Sequence, residues 1–135
     1  MTDRRVVVAD DNPPVLNTVT RLIEEHFDVV GIASDGPTAV QVALTAAPDL
    51  VVLDISMPGM SGIEVARELK KRGSEAKIVF LTVHDDADIL AGCLAAGGLG
   101  YVLKVQMDAD LILALNEALA GRVFVSALSS RIDTP

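Results

Sequence analysis

The chain has 135 residues, half of them apolar, which suffices for one domain with a single core and leaves no length for a second. Its formal net charge of −8 argues against a protein that binds nucleic-acid phosphates, because such binding depends on clustered Lys and Arg. One cysteine, Cys93, excludes an intrachain disulfide. The lack of a secretion signal and of an apolar run of roughly 20 residues predicts a cytoplasmic protein that does not enter a membrane.

The first predicted strand is the β-branched run at residues 6–9, which delivers Asp10 and Asp11 to its carboxyl end. Asn12 suits the N-cap of a helix and Pro13 its first position. Apolar residues then recur at helical spacing. The opening of the chain therefore predicts a strand, a loop that carries two carboxylates, and a helix.

The next elements are a strand at residues 29–33 and a helix between Pro37 and Pro48. The strand after them, residues 50–53, lacks polar alternation and is predicted to be buried on both faces, as in a parallel sheet. It ends in Asp54. Ligands of open parallel sheets bind outside the carboxyl ends of the strands, so Asp54 is a candidate functional residue.

The second half of the chain repeats this pattern. A third helix ends in a basic run at residues 70–72, which we interpret as complementing the helix C-terminus. A strand at residues 78–81 ends in Thr82, and the helix after it carries Cys93 on its apolar stripe. We interpret Cys93 as a small buried hydrophobe.

The last predicted strand, residues 101–103, ends in Lys104, and the final helix stops at Gly121. We expect one domain over residues 1–121. Residues 122–135 are then a C-terminal tail, or the start of a linker to an absent output domain. Five strands that alternate with five helices predict an α/β fold, a doubly wound three-layer sandwich around a parallel sheet.

Four of the five predicted strands end in a polar group: Asp10 with Asp11, Asp54, Thr82 and Lys104. Because the ends of parallel strands share one edge of the sheet, these groups predict a single site. Three neighbouring carboxylates repel one another unless a cation lies between them, and an all-oxygen ligand set favours Mg²⁺.

A lysine ammonium and a threonine hydroxyl beside that metal suit a phosphoryl group. The third carboxylate is then free to act as a nucleophile. An aspartate that attacks phosphorus gives an acyl phosphate, while the metal and the lysine neutralise charge on the transferred group.

Over about residues 4–121 the sequence resembles the receiver domain of bacterial two-component response regulators. The matching motifs are VVVADD at residues 6–11, LDISMPGMSG at 53–62, LTVHDD at 81–86 and GYVLK at 100–104. The last two are most similar to those of the NarL/FixJ-type subgroup. The resemblance implies the flavodoxin-like (βα)5 fold with a five-stranded sheet of order 2-1-3-4-5.

The resemblance also implies roles for single residues. Asp54 would be the phosphoacceptor, and Asp10, Asp11 and the backbone carbonyl of Ser56 would join it around Mg²⁺. Lys104 would contact the phosphoryl group.

Thr82 would supply the switch hydroxyl and Tyr101 the switch aromatic. The implied partners are a sensor histidine kinase, and DNA only through a LuxR-type helix-turn-helix domain that this chain lacks. The domain would catalyse its own phosphorylation and dephosphorylation rather than act as an enzyme on other substrates.

The sequence departs from the family pattern at two positions. Val105 stands where many receivers have a proline, so we expect the loop after Lys104 to differ. Val83 is bulkier than the small residue common after the switch threonine, which narrows access for small phosphodonors. Ser56 and His84 occupy the two variable positions that tune how water reaches the acyl phosphate, although His84 is equally well interpreted as a solvated loop residue.

Three other functions compete with this interpretation. A phosphatase of the haloacid-dehalogenase type predicts a second Asp two residues after the first, where Ser56 stands. A nucleotide-binding flavodoxin-like module needs glycines after the first strand, where residues 10–13 place negative charge. A receiver-like protein that only binds partners has no need for all five polar groups.

The outer faces of the last two helices are unusually apolar. Leu113 falls opposite the core stripe of the last helix with Ala120 near it, and Ala91 and Ala95 lie on the outer face of the fourth helix. This surface is a candidate interface for a phosphorylation-dependent homodimer. The alternative is ordinary exposure, since single exposed leucines are common on soluble proteins.

Overall fold

The computed structural model describes residues 4–126, which form six strands, five α-helices and one short 3₁₀ turn. The strands are β1 (Arg5–Ala9), β2 (Asp28–Ala33), β3 (Leu50–Asp54), β4 (Lys77–Thr82), β5 (Gly100–Leu103) and β6 (Phe124–Val125). The helices are α1 (Pro13–Glu24), α2 (Gly36–Ala46), α3 (Gly62–Lys71), α4 (Ala87–Ala95) and α5 (Met107–Leu119). The 3₁₀ turn, Lys104–Gln106, joins β5 to α5. None of these helices combines the length and apolar composition that crossing a membrane requires.

All the strands pair in parallel, in the order β2-β1-β3-β4-β5-β6. The doubly wound fold and the order 2-1-3-4-5 are confirmed. The sheet differs from the expectation by a sixth strand, Phe124–Val125, on the outer edge of β5. It lies within the stretch that the sequence assigned to a tail or linker, and two residues are too few to show a strand period.

The central strands lack polar alternation because helices cover both faces of the sheet. Successive residues of β1 and β3 point to opposite sides. Val7 and Val51 pack with α2, α3 and α4, whereas Val6 and Val52 pack with α1 and α5. Cys93 belongs to the first of these cores and is fully buried, which agrees with its interpretation as a small hydrophobe.

Local capping sets where the helices begin. The Asn12 side chain accepts the Val15 N–H, and Pro13 occupies the first position of α1, as predicted. Helix α2 starts one residue earlier than predicted because Asp35 serves as its N-cap. Ser61 and Glu64 form a reciprocal capping box at the start of α3. These caps place three helix N-termini just past the carboxyl edge of the sheet.

Gly62 allows α3 to lie directly against the loop that follows Asp54. Its N–H donates to the Ile55 carbonyl at 2.7 Å, and a Cβ at this position would collide with the carbonyl oxygen of Asp54. The colliding atoms are backbone, so neither can move without shifting the strand end. The absence of a side chain at Gly62 therefore permits the close approach of α3 to the backbone of Asp54.

We expect Gly62→Ala to lower the free energy of unfolding by about 1–3 kcal/mol, the usual cost of an overpacked site. Gly92→Ala, in α4, is the matched control. Its new Cβ would lie 3.5 Å from the Ile63 side chain of α3, which is an ordinary contact distance. That change should stabilise by about 0.5–1 kcal/mol through helix propensity. Urea unfolding of both variants tests this, and a Gly62→Ala protein as stable as wild type would contradict it.

Candidate functional site

Three carboxylates meet at the carboxyl edge of the sheet. Asp10 and Asp11 follow β1, Asp54 ends the neighbouring strand β3, and one oxygen from each lies within 4.8 Å of the others. Asp10 and Asp54 are buried and Asp11 is exposed. The predicted convergence of these three residues therefore occurs in the structure.

Lys104 completes the cluster from β5, although β4 separates that strand from β3. Its Nζ lies 2.9 Å from Asp10 Oδ2 and 3.4 Å from Asp54 Oδ1. The ammonium is mostly covered, so water screens these two contacts only weakly. A single cation thus faces two buried anions.

Backbone hydrogen bonds orient the two buried carboxylates. Asp10 Oδ1 accepts the Asn12 N–H at 2.9 Å, and Asp54 Oδ1 accepts the Ser56 N–H at 3.4 Å. The other oxygen of Asp10, Oδ2, is buried and accepts no hydrogen bond of good geometry within the described structure. Its proximity to Lys104 is therefore an ion-pair contact, and this oxygen keeps capacity for a further ligand.

The pKa of Asp54 is raised from 3.8 to about 6, first by burial and next by the negative charge of Asp10. Lys104 and the Ser56 N–H act in the opposite sense, since both favour the ionised carboxylate. The carboxylate is thus ionised at neutral pH but held in an unfavourable environment. A cation that entered the cluster would relieve this repulsion.

These residues fit a divalent cation. The cluster offers oxygen ligands of net negative charge, including the buried Oδ2 of Asp10 that lacks a hydrogen bond. Hard cations such as Mg²⁺ bind one or two carboxylates and keep water and substrate oxygens as further ligands. Asp10, Asp11 and Asp54 are therefore suited to hold Mg²⁺, while the part assigned to the Ser56 carbonyl stays a prediction.

Thr82 and Tyr101 are linked through the backbone of one residue. Thr82 Oγ1 accepts the His84 N–H at 3.0 Å, and the Tyr101 hydroxyl donates to the His84 carbonyl at 2.6 Å. Both side chains are fully buried. The predictions from the sequence concerned only the imidazole of His84, because no sequence signal marks a residue whose peptide groups form the important hydrogen bonds.

The region after Lys104 continues as the 3₁₀ turn into α5, and Val105 projects into solvent with 88% of its surface exposed. Val83 is also exposed beside the site. A cavity of about 590 Å³ lies instead at the opposite edge of the sheet, beside Asp49 and Lys77 at the starts of β3 and β4. The charged cluster, rather than this cavity, is the candidate functional site.

Comparison with known proteins gives consistent results. The family described as "Response regulator receiver domain" matches residues 6–116. The nitrate/nitrite response regulator protein NarL of Escherichia coli K12 is 35% identical over 123 residues, which cover 90% of this chain and 57% of that protein. This chain spans 57–58% of the length of several similar curated relatives.

Two solved structures share the fold. The signal receiver domain of the putative response regulator NarL from Mycobacterium tuberculosis has a TM-score of 0.86 and 31% identity, over 90% of this chain and all of that one. The isolated receiver domain of RcsB from Salmonella enterica, solved with the phosphomimetic BeF3-, has a TM-score of 0.86 and 28% identity, covering 96% and 97% of the two chains.

The raised pKa of Asp54 makes the stability of the metal-free protein depend on pH. Between pH 3.8 and about 6 the folded state binds more protons than the unfolded state, so the free energy of unfolding falls as pH rises through this interval. A shift of about two units corresponds to roughly 3 kcal/mol. In EDTA at pH 7.5, Asp54→Asn should therefore melt at a higher temperature than wild type, and this gap should close towards pH 4.

Thermal unfolding across this pH range, with and without Mg²⁺, checks the prediction. Added Mg²⁺ should also raise the melting temperature of wild type more than that of Asp54→Asn, because a ligand stabilises the state that binds it. Asp28→Asn, which removes an exposed carboxylate at the start of β2, is the control and should show no such pH-dependent gap. The prediction is wrong if the melting temperatures of Asp54→Asn and wild type are equal, or if their difference is constant from pH 4 to 7.5. The ionised Asp54 would then not destabilise the metal-free fold.

Proposed function

Because the chain belongs to the response regulator receiver domain family, we propose that Asp54 accepts a phosphoryl group from the phosphohistidine of a sensor kinase. The observation that carries this proposal is the convergence of Asp54 with Asp10, Asp11 and Lys104 at one edge of the sheet. The relatives are regulators of the NarL and LuxR type. The proposed reaction is phosphorylation of the aspartate followed by its hydrolysis, both promoted by this site.

In the proposed transfer, a carboxylate oxygen of Asp54 forms a bond to phosphorus as the bond between phosphorus and the histidine nitrogen breaks. Asp54 is ionised above pH 6 and is therefore nucleophilic at neutral pH. Lys104, which lies 3.4 Å from Asp54, is placed to neutralise the negative oxygens of the transferred group. A bound Mg²⁺ would supply further positive charge, held by Asp10, Asp11 and Asp54 and, as predicted, by the Ser56 carbonyl.

The hydrogen bonds of His84 suggest how the switch residues act together. Thr82 uses an oxygen lone pair to accept the His84 N–H, so its own hydrogen is left to donate to a phosphoryl oxygen. Movement of Thr82 towards that oxygen pulls on His84, whose carbonyl binds Tyr101. Tyr101 already lies inside the protein, so the switch would reset this existing hydrogen bond rather than create a new contact.

The output of the whole protein is also a proposal, because the chain spans 57–58% of the length of similar curated relatives. We assign the predicted residues 1–121 to the phosphoacceptor domain, add β6 (Phe124–Val125) to its sheet, and assign the tail or the start of a linker to the residues after that strand. A LuxR-type helix-turn-helix domain beyond that linker would bind DNA and control transcription in the cytoplasm. The acidic domain described above would not contact DNA itself.

The first test is phosphorylation by an active sensor kinase and ATP. Wild type should take up one phosphoryl group in Mg²⁺, and Asp54→Asn or added EDTA should abolish labelling. Asp28→Asn, which keeps the site intact, should label like wild type. Labelling of Asp54→Asn equal to wild type, or labelling indifferent to EDTA, would refute the assignment.

The second test concerns the proposed homodimer. Leu113 has 55% of its surface exposed on α5, which agrees with its predicted position outside the core. Phosphorylation can favour dimers only by as much as the two conformers differ in their affinity for a partner. We expect beryllofluoride to tighten dimerisation of wild type and Leu113→Glu to reduce this gain without impairing phosphorylation.

Sedimentation of each protein with and without beryllofluoride measures the effect. Ile32→Glu is the matched control, because Ile32 is 53% exposed on β2 near the other edge of the sheet. Equal dimerisation of wild type and Leu113→Glu would remove Leu113 from the interface. If beryllofluoride does not change the dimerisation of wild type, the proposed phosphorylation-dependent dimer is wrong.

A further inference from the structure

The segment at residues 122–126, after α5, forms backbone hydrogen bonds with β5 and the residue before it. Strand β5 carries Tyr101 and is followed directly by Lys104. Phe124 N–H donates to the Leu99 carbonyl at 2.8 Å, and Ser126 N–H donates to the Tyr101 carbonyl at 2.9 Å. This segment lies beyond residue 116, where the match to the family ends.

Ser126 contributes its side chain as well as its backbone. It is fully buried, and its Oγ accepts the Leu103 N–H at 3.1 Å and donates to Asp110 Oδ2 at 2.8 Å. Leu103 is the last residue of β5, and Asp110 lies in the first turn of α5. One hydroxyl thus joins the end of the strand to the start of the helix.

These two partners stand on either side of the turn that begins with Lys104. Leu103 immediately precedes Lys104, and the turn at Lys104–Gln106 then leads into α5. The side chain of Val105 in this turn lies in solvent and does not anchor it to the core. The Ser126 hydroxyl therefore acts as a staple that closes the base of this turn.

We propose that Ser126 is a positioning residue for Lys104, holding the ammonium against Asp10 and Asp54 through the Leu103 amide and the Asp110 carboxylate. The inference rests on the proposed function, because it concerns the delivery of that ammonium to a phosphoryl group. The proposed metal ligands Asp10 and Asp11 follow β1 and Asp54 ends β3, whereas the Ser126 hydroxyl bonds to β5 and α5. Loss of the staple should therefore impair phosphoryl transfer and spare metal binding.

The first experiment measures the phosphorylation rate with acetyl phosphate, which needs no kinase docking, and Mg²⁺ affinity by calorimetry. We expect Ser126→Ala to slow phosphorylation roughly 10-fold, since small misplacements of a catalytic group have effects of this size or larger. Its Mg²⁺ affinity should not fall, because the carboxylate ligands keep their positions and the ammonium that repels the metal is held less closely. Ser74→Ala is the matched control, because the Ser74 hydroxyl likewise accepts a backbone N–H, that of Ala76 at 3.2 Å, but just before β4 at the opposite edge of the sheet.

The same measurement in a Lys104→Met background decides whether Ser126 acts through the lysine. We expect Ser126→Ala to change the rate no further there. An unchanged rate in the single variant, an equal slowing in both backgrounds, or a parallel loss of Mg²⁺ affinity would each overturn the proposal.

A second readout does not require phosphorylation. Urea unfolding of wild type, Ser126→Ala, Lys104→Met and the double variant forms a thermodynamic cycle. Non-additive free energies of unfolding are expected if the staple holds the ammonium against the carboxylates, and additive values would overturn the proposal. A wild type that is inert to acetyl phosphate and to a kinase would refute the proposed function, while this cycle would still decide the role of Ser126.

Discussion

The site depends on the repulsion between the buried carboxylates of Asp10 and Asp54. The Lys104 ammonium contacts both of them. Two carboxylates removed from water repel strongly, and the raised pKa of Asp54 records the part of this cost that Lys104 does not offset. The parallel sheet makes the arrangement possible, because its core packing sets the strand ends whatever charges they carry. Core packing can therefore hold the carboxylates in an arrangement whose electrostatic free energy is unfavourable in the empty site. The same arrangement becomes favourable when a cation and a phosphoryl group are bound.

The same edge of the sheet holds the two proposed switch residues. Thr82 and Tyr101 belong to neighbouring strands, and each hydrogen-bonds to a backbone group of His84. Because both side chains are buried, displacement of either one must be matched by the other or leave a polar group without a partner. This requirement favours two discrete arrangements over a continuous range, which is the property that a switch needs.

The sequence predicted those parts of the molecule that depend on strand ends and helix periods. Asp10, Asp54 and Lys104 could be placed together because the carboxyl ends of parallel strands share an edge, and the strand order came from the resemblance to receivers. It did not predict β6, whose two residues show no period, or the bonds of Ser126, whose partners lie 16 and 23 residues away. It also missed His84 as a bridge, since any residue can offer its N–H and carbonyl. Contacts that depend on backbone position, rather than on residue type, are invisible until the chain is folded.

The proposed role of Ser126 implies that the phosphorylation site and the segment at residues 122–126 affect each other. If the Ser126 hydroxyl positions Lys104, then a phosphoryl group that draws on Lys104 also acts on the segment at residues 122–126. Linkage is reciprocal, so whatever shifts this segment changes the affinity of the site for the phosphoryl group by the same factor. A domain attached beyond this segment would therefore sense phosphorylation through the backbone to which it is joined, and its binding to DNA would in turn stabilise or weaken the phosphorylated state. This route would pass from Lys104 to Leu103 and then through the single hydroxyl of Ser126.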